Sequence, residues 1–243
     1  FALLVLTHTK LLLAQWVQTS EFSGSTVNCF AVSGTNLFAG TSDGGVFLST
    51  DNGASWNTVN NGLTDTYVQA LAVSNTNLFA GSFGGGVFLS TNNGTSWSAV
   101  NIGLTNTVVP TLTFSDINLF AGTCGGVFLS NNNGISWSDV STVLPNTSGV
   151  WALALSGTNL FAGISDCVFL STNSGKSWSS VNNGLPTSTN VQDLTVSGTN
   201  LFAGTTSGVF LTTNNGASWS EVNNGLTNTY VQALADSGKN LFA

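Results

Sequence analysis

Ser49-Thr50-Asp51-Asn52-Gly53-Ala54-Ser55-Trp56 is a phrase that this chain repeats at a fixed interval. Its tryptophan returns as Trp97, Trp137, Trp178 and Trp219, each 40 or 41 residues after the last. A second phrase, Asn-Leu-Phe-Ala, keeps the same time from Asn36, Asn77, Asn118, Asn159, Asn200 and Asn240. A period in this range means stacked supersecondary units rather than one irregular core. The 243 residues hold roughly six such units.

One unit reads as four short strands. Val68–Val73 is the first, Asn77–Gly81 the second, Val87–Ser90 the third and Trp97–Val100 the fourth. Asn- and Gly-rich turns separate them, and a connection such as Asn60-Asn61-Gly62-Leu63 leads to the next unit. Short strands with turn residues at this spacing indicate an all-β fold. Four strands per repeat of this length indicate a propeller blade. The expectation is a β-propeller of four-stranded antiparallel blades, near 27–59, 68–100, 109–140, 150–181 and 191–222, with a partial blade at 231–243. A β-helix uses shorter coils, and a helical solenoid needs a 3.6-residue period that is absent.

The first strand of each unit begins with valine: Val27, Val68, Val109, Val150, Val191 and Val231. Mostly small residues follow two positions on, and Phe30 or a leucine occupies the opposite face. A strand apolar on both faces is sandwiched between neighbours. Small residues suit the crowded strand nearest an axis. Asp193 interrupts the small row.

The tryptophan phrase has a local explanation. Its third residue is Asp51, Asn92, Asn132, Asn173 or Asn214, which can bond the backbone two residues on in an Asx turn. Gly53, Gly94, Gly134, Gly175 and Gly216 then tolerate a left-handed conformation. Burying each indole contributes about 3 kcal/mol. Near-identical copies in every unit serve as scaffolding rather than as repeated active sites, and a calcium role is disfavoured because only Asp51 keeps a carboxylate. Trp16 stands 20 residues before Asn36, close to the box-to-strand spacing elsewhere. Residues 16–19 therefore read as an outer strand that closes the ring by pairing with the blade beginning at Val231.

Composition narrows the partners. Charged residues are 5% of the chain, net charge is −7, and Lys10, Lys176 and Lys239 are the only cations because arginine is absent. Phosphate binding needs clustered Lys or Arg, so nucleic acid and anionic membrane surfaces are excluded as partners. Cys29, Cys124 and Cys167 form no CxxC pair, so neither a zinc site nor a disulfide framework is implied, although Cys124 and Cys167 occupy corresponding turns. His8 is the only histidine, which removes Ser-His-Asp chemistry from the repeats. No metal and no cofactor is implied. Residues 1–15 are apolar and too few to span a bilayer, and they read as the remnant of a secretory signal cleaved near Ala14. Both ends read as truncated. Secretion of the bacterial type to the exterior or cell surface follows as the expectation, with a monomeric state and no membrane insertion.

Ser-x-Asp-x-Gly-x-x-Trp at residues 49–56 resembles the Asp-box, or BNR repeat, and the resemblance covers residues 16–243 with Asn for Asp in the later copies. It implies a propeller whose boxes lie at the blade periphery, away from the ligand face. The family is mixed in function and includes sialidases, xyloglucanases, sortilin-like receptors and photosystem assembly factors. A sialidase grips a sugar carboxylate with three arginines, and this chain has none. Xyloglucanase-like hydrolysis needs two opposed carboxylates, for which Asp43, Asp166 and Asp193 are available without a matching motif.

A ligand would meet the face where the copies diverge. The turns between second and third strands carry Asp43, Phe83, Cys124, Asp166 and Ser207, and the entries to first strands carry Tyr67, Trp151 and Tyr230. Aromatics mixed with acids and amides at a channel mouth suit a sugar or a peptide. The functional expectation is a non-catalytic propeller module that binds or scaffolds a protein or glycan. The alternative is a polysaccharide-active glycoside hydrolase of the same architecture.

Overall fold

The computed structural model describes residues 25–115, 117–141, 144, 149–238 and 240–243. Among them every regular element is a strand. The first blade contains β1 (Val27–Ser33), β2 (Asn36–Thr41), β3 (Val46–Ser49) and β4 (Asn57–Thr58). The second contains β5 (Val68–Ser74), β6 (Asn77–Ser82), β7 (Val87–Ser90) and β8 (Ser98–Ala99). The third runs through β9 (Thr111–Ser115), β10 (Asn118–Thr123), β11 (Gly126–Ser130) and β12 (Ser138–Asp139). The fourth has β13 (Val150–Ser156), β14 (Asn159–Ile164), β15 (Cys167–Ser171) and β16 (Ser179–Ser180). The fifth has β17 (Val191–Ser197), β18 (Asn200–Thr205), β19 (Gly208–Thr212) and β20 (Ser220–Glu221). A two-stranded remnant, β21 (Ala235–Asp236) and β22 (Leu241–Phe242), follows. Each complete sheet is an antiparallel meander in chain order.

The fold is the all-β propeller with five complete blades and one partial blade. Its fourth strands are only two residues long, because the tryptophan leaves the ladder to point at the preceding blade. The third blade's first strand begins at Thr111 rather than Val109. Pro110 has no N–H to give to a ladder there.

The cores lie between blades rather than within them. Phe38 and Val46 of the first blade pack with Val68, Leu78, Phe88 and Trp97 of the second. Equivalent clusters join the second to the third, the third to the fourth and the fourth to the fifth. Val209 of the fifth blade packs with Val231 and Leu234 of the partial blade. The opening valine of each first strand is the knob of this packing. A Cβ on Gly40 would lie 2.6 Å from Val68 Cγ1, and Gly81 and Val109, Gly122 and Val150, and Gly163 and Val191 are related in the same way. The glycine after Asn-Leu-Phe-Ala is thus the hole into which the next blade's valine fits. Space, not backbone freedom, demands it.

The ring is open among the described residues. Phe30 and Val32 on β1 are exposed, whereas Leu153 and Leu194 at positions equivalent to Phe30 are buried by the preceding blade. The expected leader at 1–15 and the expected closing strand at 16–19, with Trp16, lie outside the described residues.

Candidate functional site

The antiparallel meander places the two kinds of turn at opposite ends of every blade. The boxed turns connect third to fourth strands at one end. Asp51 Oδ1 accepts the hydroxyl of Ser49 at 2.8 Å and the N–H of Ser55 at 2.9 Å, and the Gly53 N–H donates to Ser49 Oγ at 2.8 Å. The reach of the Asx side chain is therefore four residues, not the two expected from a simple Asx turn. The reason is that two successive residues are left-handed, Asn52 at φ 57° and Gly53 at φ 87°, and they fold Ser55 back onto Asp51. Asn92, Asn132, Asn173 and Asn214 preserve the arrangement with one reversal. Ser55 donates its hydroxyl to Asp51 Oδ2, whereas Asn92 Nδ2 donates to Ser96 Oγ. These bonds, led by that of the Ser55 hydroxyl, lower the Asp51 carboxyl to about 2. The four later indoles each donate to the preceding blade: Trp97 to Val59, Trp137 to Val100, Trp178 to Val140 and Trp219 to Val181, at 2.7–2.8 Å. Trp56 holds the corresponding position in the first blade and lies 6.3 Å from the Phe30 ring.

The other end is the variable face. Backbone bonds tie the second-to-third turn to the entry of its own first strand in four blades: Ser42 N–H to Thr26, Phe83 N–H to Tyr67, Cys124 N–H to Val108 and Thr206 N–H to Asn190. The same turns receive the connection to the next blade, since the Gly45 N–H donates to Thr66 and the Gly86 N–H to Thr107. Turns and entries that diverge in sequence thus share one surface.

Tyr67 and Phe83 come together there. Their rings stack with centroids 5.0 Å apart and planes 23° from parallel, and both are exposed. Asp65 supports the pair: its carboxylate accepts the Tyr67 N–H at 3.0 Å and the Gly85 N–H at 2.7 Å. Asp65 is a positioning residue that sequence patterning did not single out. Asp43 accepts a hydrogen bond from Ser25. Asp166 sits in the turn between β14 and β15 at φ 67°, beside the bridge between Ser165 and Asn190. Tyr230 is exposed and lines a cavity of about 410 Å³ beside the partial blade. Asp43 and Asp166 line neither this cavity nor the axial one described below.

A cavity of about 870 Å³ lies on the axis, bordered by the first strands of all six blades. The bulges in β1, β5, β13 and β17 shape it. Each first strand shifts register between its opening valine and the residue two positions on. The residue between is extra, belongs to neither face of the ladder and turns to the axis. Asn28, Gln69, Pro110, Trp151, Gln192 and Gln232 form this ring. Of them only Trp151 was a candidate from sequence. Strict alternation hides a bulge, and the one available signal was the valine-plus-one column, five of whose six members are Asn, Gln or Pro. The Trp151 ring lies against Gly149, where a Cβ would lie 3.4 Å from Trp151 Cε2 and 3.3 Å from Cys124 Sγ.

Asp193 lines the same cavity, and both its oxygens are engaged. Oδ1 accepts the Leu194 N–H at 2.8 Å and Oδ2 accepts the Leu234 N–H of the partial blade at 2.7 Å. Burial outweighs these bonds and holds its carboxyl above the usual range. Asp193 is the carboxylate of this cavity among the described residues. The three cysteines are free thiols, and burial pushes Cys29 up to about 12 and raises Cys124. No described helix is long and apolar enough to cross a membrane.

No family model matches the chain, and no curated protein matches it. Solved structures do. The extracellular domain of BT4673 from B. thetaiotaomicron superposes with a TM-score of 0.75 at 17% identity, over 93% of this chain and 32% of that one. An ancestral GH74 enzyme gives 0.71 at 22% identity, over 85% of this chain and 32% of its own. YCF48 carrying a bound peptide gives 0.63 at 14% identity, over 86% of this chain and 70% of its own. The chain spans about a third of the length of the first two. Such identities show the fold alone. They also correct one expectation: the reading of the chain as not an enzyme is overturned as an inference from architecture, because GH74 hydrolases share this fold. The absence of arginine speaks to one sugar chemistry, not to catalysis in general. What fold, interblade packing and comparisons establish together is that this chain is a β-propeller module.

Proposed function

We propose that this chain is an extracellular propeller module of the Asp-box type that binds a glycan or a protein segment across its variable face. The observation that carries this reading is the exposed Tyr67–Phe83 stack, held by the Asp65 carboxylate through two backbone N–H bonds. Exposed aromatic rings lose solvent on contact with an apolar sugar face or a side chain, and rigid ones lose little entropy in doing so. An extracellular setting is supported by the BT4673 neighbour, and a peptide ligand by the YCF48 neighbour. The test is a glycan array and a pull-down on the wild-type chain and on Tyr67→Ala/Phe83→Ala. Loss of a captured ligand by at least tenfold in the double variant is expected. Undiminished capture, or none by the wild type, refutes the reading.

Glycoside hydrolysis is the second reading, favoured by the half-buried Asp193 carboxyl on the axial cavity, whose raised pKa suits a general acid, although the second carboxylate that such hydrolysis needs is not among the described residues of the cavity. Turnover of a polysaccharide that Asp193→Asn abolishes would establish it. Turnover unchanged in that variant removes Asp193 from the chemistry.

A further inference from the structure

We propose that the axial cavity is itself a binding site for a neutral pyranoside unit, gripped by the ring of bulge residues with Trp151 as its stacking wall. This rests on the variable face being the ligand face, since the first strands that line the cavity begin there. It adds a second, chemically distinct locus to the Tyr67–Phe83 stack.

Four observations carry it. The first is the ring itself. Bulges bring Asn28, Gln69 and Gln192, and the entry to the partial blade brings Gln232, to one cavity; Gln69, Gln192 and Gln232 each carry an amide able to donate and accept, while the Asn28 amide already donates to the Val68 carbonyl and accepts from the Ser42 hydroxyl. Sugar hydroxyls, which also do both, are the natural complement of such a set. The second is Trp151, 37% exposed at the same cavity. An indole face accepts the C–H face of a pyranose, as aromatic walls do in pockets with few polar groups. The third is charge. No described residue lining the cavity is cationic, and the chain has net charge −7, so an anionic sugar or phosphate is disfavoured there. Asp193 already accepts two backbone N–H groups, which leaves it poorly disposed to recruit a cation.

The fourth is an unmet acceptor. Gln69 lines the cavity, yet its Oε1 is buried with no hydrogen-bond partner. A buried acceptor left unpaired is destabilising and calls for an explanation. Rotation of the Gln69 side chain into the cavity, onto a ligand hydroxyl, removes that penalty. The Gln69 amide is thus a group on the cavity wall that a ligand hydroxyl can engage. The cavity of about 870 Å³ is of the size used for small-ligand sites.

Gln69→Leu separates this role from a merely structural one. Leucine removes the unpaired oxygen, so the variant is expected to melt at the same temperature as wild type or higher. The same change is expected to weaken the site at least fivefold. Isothermal titration with cellotriose, a neutral probe, is expected to show binding to the wild-type chain, with at least tenfold loss in Trp151→Ala. Gln192→Leu, at another ring position, serves as a second variant should Trp151→Ala fold poorly, and at least a threefold loss is expected. Tri-galacturonate, the anionic counterpart, is expected not to bind. Tyr67→Ala/Phe83→Ala is expected to leave cellotriose affinity within twofold. Loss of cellotriose binding in that double variant, with none in the ring variants, would overturn the axial site while sustaining the face. Binding of an uncharged peptide in preference to the trisaccharide, or binding of neither, would overturn it as well.

Discussion

The indole N–H of Trp137 donates to the carbonyl of Val100, one blade back, at 2.7 Å. The same tryptophan's backbone N–H donates to the carbonyl of Ile102 at 2.8 Å. One residue thus clamps both the last strand of the preceding blade and the connection that leaves it. Trp97 and Trp219 repeat both bonds. The tryptophan is a joint between blades rather than the core of its own.

Trp137→Phe keeps most of the apolar surface and removes the indole donor, leaving the Val100 carbonyl without it. A loss of about 1–3 kcal/mol is expected. Trp137→Ala also opens a cavity, for about 3–5 kcal/mol. Urea unfolding followed by far-ultraviolet circular dichroism measures both. Equal loss in the two variants would assign the whole effect to the hydrogen bond.

Gly103 predicts a sharp contrast between glycines. Its φ is 86°, and a Cβ there would lie 2.3 Å from the Trp137 carbonyl oxygen. Gly103→Ala is expected to cost about 2 kcal/mol or more, since backbone must move. Gly157 has φ 60° with open space around it, and Asn75 occupies the matching turn of the second blade at φ 54°. Gly157→Asn is therefore expected to fall within about 0.5 kcal/mol of wild type. Parallel thermal melts decide both.

Asp51 gives acid sensitivity to the first boxed turn. Its folded-state pKa of about 2 lies below the ordinary 3.8. Its contribution is present above 3.8 and is lost as pH falls toward about 2. Asp51→Asn, which copies the other four boxes, is expected to flatten the melting temperature across that window. An unchanged acid slope in the variant would refute the assignment.

Asp193 works in the opposite sense. Its folded-state pKa is raised from 3.8 by burial, so its contribution is largest below 3.8 and is lost as pH rises through the raised value. Melting temperature is expected to rise on acidification from neutral toward 3.8 in the wild type. Asp193→Ala, the residue found at the matching position of the second, fourth and partial blades, is expected to remove that rise. The alanine variant also loses the acceptor for Leu234, which makes proteolysis near residue 234 a second readout, expected to quicken.

The blade was legible in the sequence because its causes are local. The Asx-x-Gly bend and the Asn-Leu-Phe-Ala strand each act within about ten residues, and the 40- or 41-residue return of Trp56 joined them into a propeller. The pairing of glycine holes with valine knobs could be read only as two separate invariant columns. Gly81 and Val109 meet across a blade boundary, and no local rule connects them. The Asn60 and Asn101 side chains looked like turn punctuation, yet they accept the N–H of Val46 and Val87 and so bind the fourth strand's exit to the third strand's start.

The site divides in the same way. Divergence among copies marked Tyr67, Phe83 and Trp151 as surface positions, because turns vary where packing does not constrain them. That Tyr67 and Phe83 stack, with Asp65 beneath them, required the turn and the strand entry to be brought together by a backbone bond 16 residues apart. The axial ring was invisible because a bulge adds one residue to a two-residue period, and every face assignment before it shifts by one. By itself the sequence determined the unit and its repetition, through short-range turn chemistry and hydrophobic spacing. Only the tertiary structure decided which residues face the axis, since that depends on ladder register between strands and on how six sheets converge on one line.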